Sequence, residues 1–222
     1  MKDIALVLDI DGLMVDTEPI SRLAWDKVLA RYGHELDDDL HARMIGYRFD
    51  ESVHMLLDAY DLTLSVEEIK QMKSVEYAAI LSRGAPVMPG LYDLVAGINQ
   101  HGLPWAVATS SPYAHAEEIL LQLKLTDSCS AIAGGDEVPY GKPAPDIYLL
   151  AAKRLGLPPE HCMALEDSAP GCRAALTAGM MTLAIPNGDS EKVGFPEVHG
   201  VFKSLSDVSQ ELDQLLSELS ER

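Results

Sequence analysis

Hydrophobic positions along this chain change their spacing in a way that separates two kinds of structure. Residues 4–8 form a continuous apolar run, which is typical of a buried strand in a parallel sheet. Between residues 21 and 83 the apolar positions recur at helical spacing and predict three helices, at 21–32, 55–60 and 69–81. The apolar stripe of the first predicted helix consists of Leu23, Val28, Leu29 and Tyr32, and the helix ends at Gly33.

From residue 85 onward, strand-like and helix-like segments alternate. Strands are predicted at 105–109, 131–133, 162–165 and 181–185, and helices at 113–123, 146–155 and 172–178. This alternation predicts an α/β fold with a Rossmann-like parallel sheet and helices on both faces. Residues 205–219 predict an amphipathic C-terminal helix that packs onto this core, with a dimer interface as the alternative.

The first strand has no strand partner before residue 105, so it is expected to join the later strands in one sheet. The sequence therefore predicts a core domain from residues 1–16 and 85–222, interrupted by an all-helical cap domain at 17–84. Because the chain enters and leaves the cap at the carboxyl edge of the sheet, the cap is placed to act as a lid there.

Composition narrows the class of protein further. The 222 residues include 35 acidic and 17 basic ones, for a formal charge of −18, which disfavours a nucleic-acid or anionic-membrane surface. An anionic substrate would then need local cations or a divalent metal. The three cysteines fit no zinc spacing, no apolar run reaches membrane length, and no signal peptide precedes the first strand, so a cytoplasmic monomer is expected.

Four sites at or near the carboxyl ends of the predicted strands carry polar side chains. They are Asp9 and Asp11, the segment Thr109-Ser110-Ser111, Lys142, and the pair Glu166-Asp167. Since the carboxyl ends of parallel strands share one edge of a sheet, these groups are expected to converge. Such a set offers a carboxylate nucleophile, a second carboxylate for proton transfer, oxygen ligands for Mg²⁺ and donors for a tetrahedral anion.

These four segments, at 9–18, 108–111, 141–146 and 164–168, resemble the motifs of the haloacid dehalogenase superfamily of aspartate-dependent phosphotransferases. The resemblance spans nearly the whole chain and implies that Asp9 attacks phosphorus while Asp11 acts as acid and then as base. It also implies that Thr109 and the Ser110 amide hold the phosphoryl group, and that Lys142 neutralises Asp9 and a phosphoryl oxygen.

The same resemblance implies how a metal would be held. Asp9, the backbone carbonyl of Asp11 and Asp167 would ligate Mg²⁺ directly, and Glu166 would do so through a water molecule. Each of these groups taken alone would be read as a turn residue or a helix cap, and their joint placement favours the functional interpretation.

Within the superfamily, the segment 11–18 and the small helical cap resemble the branch of β-phosphoglucomutases and hexose-phosphate phosphatases of the 2-deoxyglucose-6-phosphate type. The cap loop Ile45-Gly46-Tyr47-Arg48 resembles its specificity loop, so Gly46 and Arg48 are candidate substrate contacts, with a helix-end ion pair as the alternative for Arg48. Glu18 is a weaker candidate, because an acid in the first turn of a helix needs no further explanation.

The resemblance also bears on whether the protein hydrolyses a sugar phosphate or isomerises it as a mutase does. In the mutases, a histidine and a lysine of the cap help to deliver the second phosphoryl acceptor. Ser21 stands near the matching first-helix position with no histidine close by, which weakens the mutase interpretation and favours simple hydrolysis; the register of Lys70 and Lys73 in their helix is undetermined. The seven histidines, His34, His41, His54, His101, His115, His161 and His199, are expected at the surface or in loops.

The sequence thus predicts a magnesium-dependent phosphatase of a small phosphorylated metabolite, a sugar or polyol phosphate, acting through an aspartyl-phosphate. A β-phosphoglucomutase-like mutase is the first alternative. A non-catalytic phospho-aspartate switch or binding module is the second, although such a switch needs neither a cap nor an acid two residues after the nucleophile.

Overall fold

A six-stranded parallel sheet forms the centre of the structure, a computed structural model that describes residues 4–81, 84–188, 190 and 194–222. Its strands are β1 (Ala5–Leu8), β2 (Trp105–Ala108), β3 (Ala131–Ala133), β4 (Cys162–Glu166), β5 (Met181–Ala184) and β6 (Gly200–Val201). They lie in the order β3-β2-β1-β4-β5-β6. The predicted α/β class with a Rossmann-like parallel sheet is confirmed; the short β6 was not predicted.

Ten α-helices surround or cap this sheet in the described part of the chain. They are α1 (Glu18–Ala30), α2 (Asp38–Met44), α3 (Phe49–Tyr60), α4 (Val66–Leu81), α5 (Leu91–Gln100), α6 (Tyr113–Leu123), α7 (Asp146–Leu155), α8 (Ala169–Ala178), α9 (Leu205–Gln210) and α10 (Leu212–Glu221). Helices α2 and α5 have no counterpart among the predicted elements.

Both faces of the sheet are buried, which is why its strands read as continuous apolar runs. Leu6 and Leu8 of β1 point to the face covered by α5, α6, α9 and α10, whereas Ala5 and Val7 point to the face covered by α7 and α8. The C-terminal helices bury their leucines in this first layer, so the predicted packing of residues 205–219 onto the core is confirmed.

Helices α1 to α4 form a separate layer with a core of its own, and none of the described residues in this segment lies in a β-strand. Trp25 and Leu29 of α1 pack there with Met44, Leu56 and Ile69. The predicted stripe of α1 was partly wrong. Leu23 and Tyr32 are 46% and 41% exposed, because they lie off the buried face of α1. That face consists of Ile20, Ala24, Trp25, Val28 and Leu29.

The two connections between the sheet and the helical layer run side by side. Val15 pairs with Val87 in an isolated antiparallel bridge, and the amide of Asp16 donates to the carbonyl of Pro86 at 2.8 Å. This arrangement places helices α1 to α4 above the carboxyl ends of β1, β2 and β4. Arg83, the predicted end of the helical region, lies outside the described residues, and the domain boundaries at 17 and 84 remain predictions.

Candidate active site

Asp9 directly follows the central strand β1. It lies at the topological switch point of the sheet, where the strand order continues to β2 on one side of β1 and to β4 on the other. The amide of Asp9 donates to the carbonyl of Leu165 at 3.1 Å, which keeps the two chains paired one residue beyond β1. Glu166 and Asp167 follow on the neighbouring chain, so three carboxylates meet at the switch point where open α/β sheets bind ligands. Oxygen atoms of all three lie within 4.8 Å of one another.

Lys142 is the cation of this cluster. Its Nζ lies 2.6 Å from Asp9 Oδ1 and 2.5 Å from Glu166 Oε1, and it also donates to the carbonyl of Ala108 at 3.2 Å. The side chain is 2% exposed, which is tolerable for an ammonium only because all of its donors point at acceptors. The predicted convergence of Lys142 with Asp9 is therefore present in the structure.

Glu166 is held on both of its oxygen atoms. Oε1 accepts from Lys142 and from the hydroxyl of Tyr148 at 2.7 Å, and Oε2 accepts from the amide and hydroxyl of Ser168. Nothing in the sequence pattern indicated Tyr148, which is a core position of α7. With these four partners Glu166 fixes Lys142, and its predicted contact with a metal through water stays a prediction.

Asp167 differs from Glu166 in its partners. Its Oδ2 is buried and has no hydrogen-bond partner among the described residues. It lies against the backbone at Gly12, which has a φ of +89° and leaves no room for a side chain, since a Cβ there would stand 2.0 Å from Asp167 Oδ2. A buried, unpartnered carboxylate oxygen is costly unless a cation or proton reaches it.

The charges of this cluster do not balance. Three carboxylates, Asp9, Glu166 and Asp167, face the ammonium of Lys142, so in the described part of the chain the acidic groups of this cluster outnumber the cations by two. Burial, opposed by Lys142 but reinforced by Glu166 and Asp11, raises the pKa of Asp9 to about 8. Burial and the neighbouring carboxylates also raise the pKa of Asp167 well above its ordinary value. An oxygen-ligand cluster of this charge fits a hard divalent cation.

Asp11 lies beside this cluster but has different surroundings. Its Oδ1 accepts from the Thr17 hydroxyl at 2.9 Å, and its Oδ2 accepts from the Ser111 hydroxyl at 2.7 Å and from Thr109 Oγ1 at 3.4 Å. Burial would raise the pKa of Asp11, but the nearby His115 imidazole and the hydrogen bonds from Ser111 and Thr17 outweigh burial and hold that pKa below its usual range. Asp9 and Asp11 are thus two carboxylates with opposite environments.

The loop after β2 lies where the sequence predicted an anion site. Thr109 is buried, and its hydroxyl accepts from the amide of Ser111 at 3.0 Å; the Ser110 hydroxyl donates to the carbonyl of Gly46 at 2.9 Å. Ser111 belongs to the predicted motif but was not chosen as a site residue. Thr109, Ser110 and Ser111 all line the same cavity as Asp9 and Asp11.

That cavity, of about 340 Å³, lies between the sheet edge and the helical layer. On the side of the helices it is lined by Glu18, Ser21, His41, Gly46, Tyr47, Lys70, Lys73 and Tyr77, among others. Gly46 has a φ of +84° and lies so close to the Ser168 hydroxyl that a Cβ would stand 2.4 Å from it. Glu18 and Gly46 thus border the cavity together with Tyr47, and the role of Glu18 and Gly46 as substrate contacts stays a prediction.

The side chain of Arg48 contacts the core domain instead of the cavity. Its guanidinium donates to the carbonyl of Val138 at 2.6 Å and to that of Pro139 at 3.2 Å, and its stem packs on Gly141. It is absent from the described residues that line the cavity. In this structure Arg48 fastens the start of α3 to the loop that carries Lys142, and neither predicted role, substrate contact or helix-end ion pair, describes that contact.

Lys73 projects into the cavity from α4. Its Nζ lies 2.9 Å from the Ser21 hydroxyl and 4.2 Å from the centroid of the Trp25 ring, with Phe49 and Tyr77 close by. Burial outweighs the attraction of Glu18 and Asp11 and lowers the pKa of Lys73 to about 8. The register that the sequence left undetermined thus places Lys70 and Lys73 both at the cavity.

Two histidines also face the cavity, against the expectation that all seven lie at the surface or in loops. His41 is 3% exposed, and its Nε2 lies 3.8 Å from Glu18 Oε2. His115 Nε2 lies 3.8 Å from Asp11 Oδ1; burial would lower its pKa, but Asp11 more than offsets that, so the pKa is raised. The argument that no cap histidine is near Ser21 was therefore wrong, because α2 brings His41 to the same cavity.

A signal for His115 was present in the sequence. Helix α6 starts right after Pro112, so a side chain in its first turn remains near the loop that carries Ser111. His41 had no such signal, because α2 spans only seven residues and is too short to show a helical period.

Comparison with known proteins agrees with this geometry. The sequence profile of the haloacid dehalogenase-like hydrolases matches residues 5–179. The chain is 34% identical over 176 residues to a phosphorylated carbohydrates phosphatase of Thermotoga maritima, covering 79% of this chain and 82% of that protein. It is 31% identical over 203 residues to hexitol phosphatase B of Escherichia coli, covering 85% and 86%.

Among solved structures, β-phosphoglucomutase from Clostridium difficile superimposes with a TM-score of 0.86 over the full length of both chains, at 22% identity, which supports the fold. The chain belongs to the haloacid dehalogenase-like hydrolase family, as the motifs indicated. It is therefore an enzyme of the hydrolase class. None of the helices in the described ranges is long and apolar enough to cross a membrane.

Proposed function

We propose that this protein is a magnesium-dependent phosphatase that hydrolyses a small phosphorylated metabolite, a sugar or polyol phosphate, through an aspartyl-phosphate on Asp9. The observation that carries the proposal is the buried cluster of Asp9, Glu166, Asp167 and Lys142, with Asp11 beside it at the floor of the cavity. The names of the relatives support the substrate class, since they act on phosphorylated carbohydrates and hexitol phosphates.

In the first step Asp9 attacks phosphorus, and the bond from phosphorus to the leaving oxygen breaks. Asp11 must enter this step protonated, against the hydrogen bonds that favour its ionised form, and it gives that proton to the leaving oxygen, so the leaving group departs as a neutral alcohol. Thr109 and the Ser110 amide hold the phosphoryl oxygens, and Lys142 keeps Asp9 oriented and offsets its charge. Bound between Asp9, the Asp11 carbonyl and Asp167, Mg²⁺ would supply positive charge that offsets the phosphoryl group and the cluster.

In the second step Asp11, now ionised, takes a proton from water, whose oxygen attacks phosphorus and breaks the bond to Asp9. Inorganic phosphate leaves, and both carboxylates return to their starting states. The hydrogen bonds from Thr17 and Ser111 favour the ionised form of Asp11, which is the form that this step needs.

The test is a phosphate-release screen over sugar and polyol phosphates with Mg²⁺, together with para-nitrophenyl phosphate. We expect turnover that Asp9→Asn abolishes and that EDTA stops reversibly. Asp127→Asn, an exposed turn residue far along the chain, is the matched control and should retain full activity. Normal turnover in Asp9→Asn would refute the nucleophile, and indifference to EDTA would refute the metal. Turnover that depends on Asp9 would also dismiss a non-catalytic switch.

A sugar-phosphate mutase is the second candidate, favoured by one observation. Lys73 and His41 reach the cavity from the cap side, where a second phosphoryl acceptor would have to be delivered. Phosphorus NMR separates the two activities, because a mutase converts β-glucose 1-phosphate into an isomeric sugar phosphate in the presence of a bisphosphate activator. A phosphatase instead releases inorganic phosphate in proportion to the substrate consumed.

A further inference from the structure

His115 belongs to the sheet side of the cavity and is rigidly placed there. Helix α6 begins at Pro112, whose carbonyl accepts from the His115 amide at 3.0 Å. The amide of Tyr113 donates to Asp136 Oδ1 at 2.8 Å, which anchors the start of α6 to the loop after β3. The backbone position of His115 relative to Asp11 is therefore set by the core.

The imidazole has two neighbours of different kinds. Its Nε2 lies 3.8 Å from Asp11 Oδ1, and its ring meets the ring of Tyr77 at an interplanar angle of 62°, with centroids 6.0 Å apart. Tyr77 belongs to α4, so this second contact crosses from the core to the cap. The ring thus links the acid–base carboxylate to the cap.

Thr17 is a second neighbour of the same carboxylate oxygen. Its hydroxyl donates to Oδ1 of Asp11, the oxygen that faces His115, and both Thr17 and Tyr77 line the cavity. Thr17 and His115 therefore meet at one oxygen atom of Asp11, with Tyr77 packed beside His115. Removal of Tyr77 would leave the imidazole without the ring that packs against it.

We propose that His115 is a positioning residue that holds Asp11 in line with the leaving oxygen only while Tyr77 of the cap is packed against it. This inference rests on the proposed phosphatase function. Its consequence is that proton donation by Asp11 depends on cap closure. When the cap is open, the phosphoryl group can then be transferred to Asp9 only from a substrate whose leaving group needs no proton.

Two substrates test this, because they differ in their need for a proton. An alkyl phosphate such as a sugar phosphate has a poor leaving group that must be protonated, whereas para-nitrophenyl phosphate releases an acidic phenol. We expect His115→Phe, which keeps a ring against Tyr77, to lower kcat/KM for the alkyl phosphate by roughly 100-fold, the loss typical of a misplaced catalytic group. The loss on para-nitrophenyl phosphate should be at least tenfold smaller.

Companion variants separate positioning from folding. His115→Gln should recover part of the lost alkyl-phosphate activity, because its amide offers a donor to Asp11. Tyr77→Ala should reproduce the substrate-dependent loss, and the double variant should be no worse than either single one, as expected for groups acting as a unit. His54→Asn, an exposed cap histidine, is the control and should match wild type in activity and in thermal unfolding.

Each outcome decides between the two proposals. Equal losses on both substrates, or a change in KM alone, would overturn the role of His115 while leaving the phosphatase function in place. A wild-type protein that releases phosphate from neither substrate would remove the proposed function, and the inference would fall with it. If His115→Phe fails to fold, the substrate ratio in His115→Gln and Tyr77→Ala gives the same test.

Discussion

At the scale of single residues, Gly12 shows how close packing and charge meet in this site. We expect Gly12→Ala to reduce stability by about 1–2 kcal/mol, because an alanine at a φ of +89° adopts a left-handed conformation. We also expect it to weaken Mg²⁺ binding, since a Cβ would stand 2.0 Å from Asp167 Oδ2. Urea unfolding and calorimetric titration with Mg²⁺ measure the two effects separately.

Gly33→Ala provides the control for that substitution. Gly33 has a similar φ of +78° but no atom within 4 Å of the added Cβ. It should lose comparable stability from the backbone alone and keep wild-type affinity for Mg²⁺. If Gly12→Ala also bound Mg²⁺ as wild type does, Asp167 would not be part of the metal site.

At this scale, the residues that could be predicted are those whose position is set by the strand topology. Asp9, Asp11, Lys142 and Asp167 could be placed from the sequence, because each directly follows a strand or sits in a Gly-Lys-Pro turn whose position in the topology is fixed. The partners of these groups could not. Tyr148 reads as a core residue of α7, and only the packing of α7 on this face of the sheet brings its hydroxyl to Glu166.

At the scale of elements, the cap and the core are joined through Arg48. Its guanidinium bridges from the start of α3 to the carbonyls of Val138 and Pro139, three to four residues before Lys142. Hydrogen bonds from a charged donor contribute roughly 1.5–3 kcal/mol. The contact therefore has enough energy to bias the position of the cap over the cavity.

We expect Arg48→Met to lower kcat/KM about tenfold, the effect of losing some 1.4 kcal/mol of closure energy, and to do so equally on aryl and alkyl phosphates. Steady-state kinetics on both substrates makes the comparison. Arg43→Met is the control, because the hydrogen bond of that exposed arginine to the described residues lies within its own helix, at the carbonyl of Asp39. A loss confined to one class of substrate would instead favour the sequence-based prediction that Arg48 contacts the substrate.

Helices with a regular apolar period were predictable over their whole length. The bounds of α6 and α7 match the prediction because an apolar stripe continues along each helix, and the three-residue strand β3 also matches. Helix α2 and strand β6 span seven and two residues, too few to show a period, and they form because neighbouring elements offer them partners.

At the scale of the whole molecule, the net charge of −18 and the buried acidic cluster act in the same direction. Both make the protein more stable when cations are present, but through different mechanisms. Monovalent salt screens repulsion between surface charges, whereas a specifically bound divalent ion stabilises by mass action.

We expect Mg²⁺ to raise the unfolding temperature beyond the effect of NaCl at equal ionic strength. The gain should approach about 2.7 kcal/mol when Mg²⁺ is at 100 times its dissociation constant. Thermal unfolding of wild type and of Asp167→Asn in both salts measures the specific part, which the variant should lack. Equal stabilisation of the two proteins by Mg²⁺ would show that the cation acts only at the surface.

The sequence by itself determined the α/β class, the inserted helical segment, the order of the motifs and the family. These depend on local periodicity and on which residues follow each strand, and both are written in the chain. Tertiary structure alone decided that His41 and Lys73 face the cavity and that Arg48 turns away from it. The direction of a helical side chain toward a distant partner depends on how two separately folded layers pack, and that relation has no counterpart in the spacing of residues along the chain.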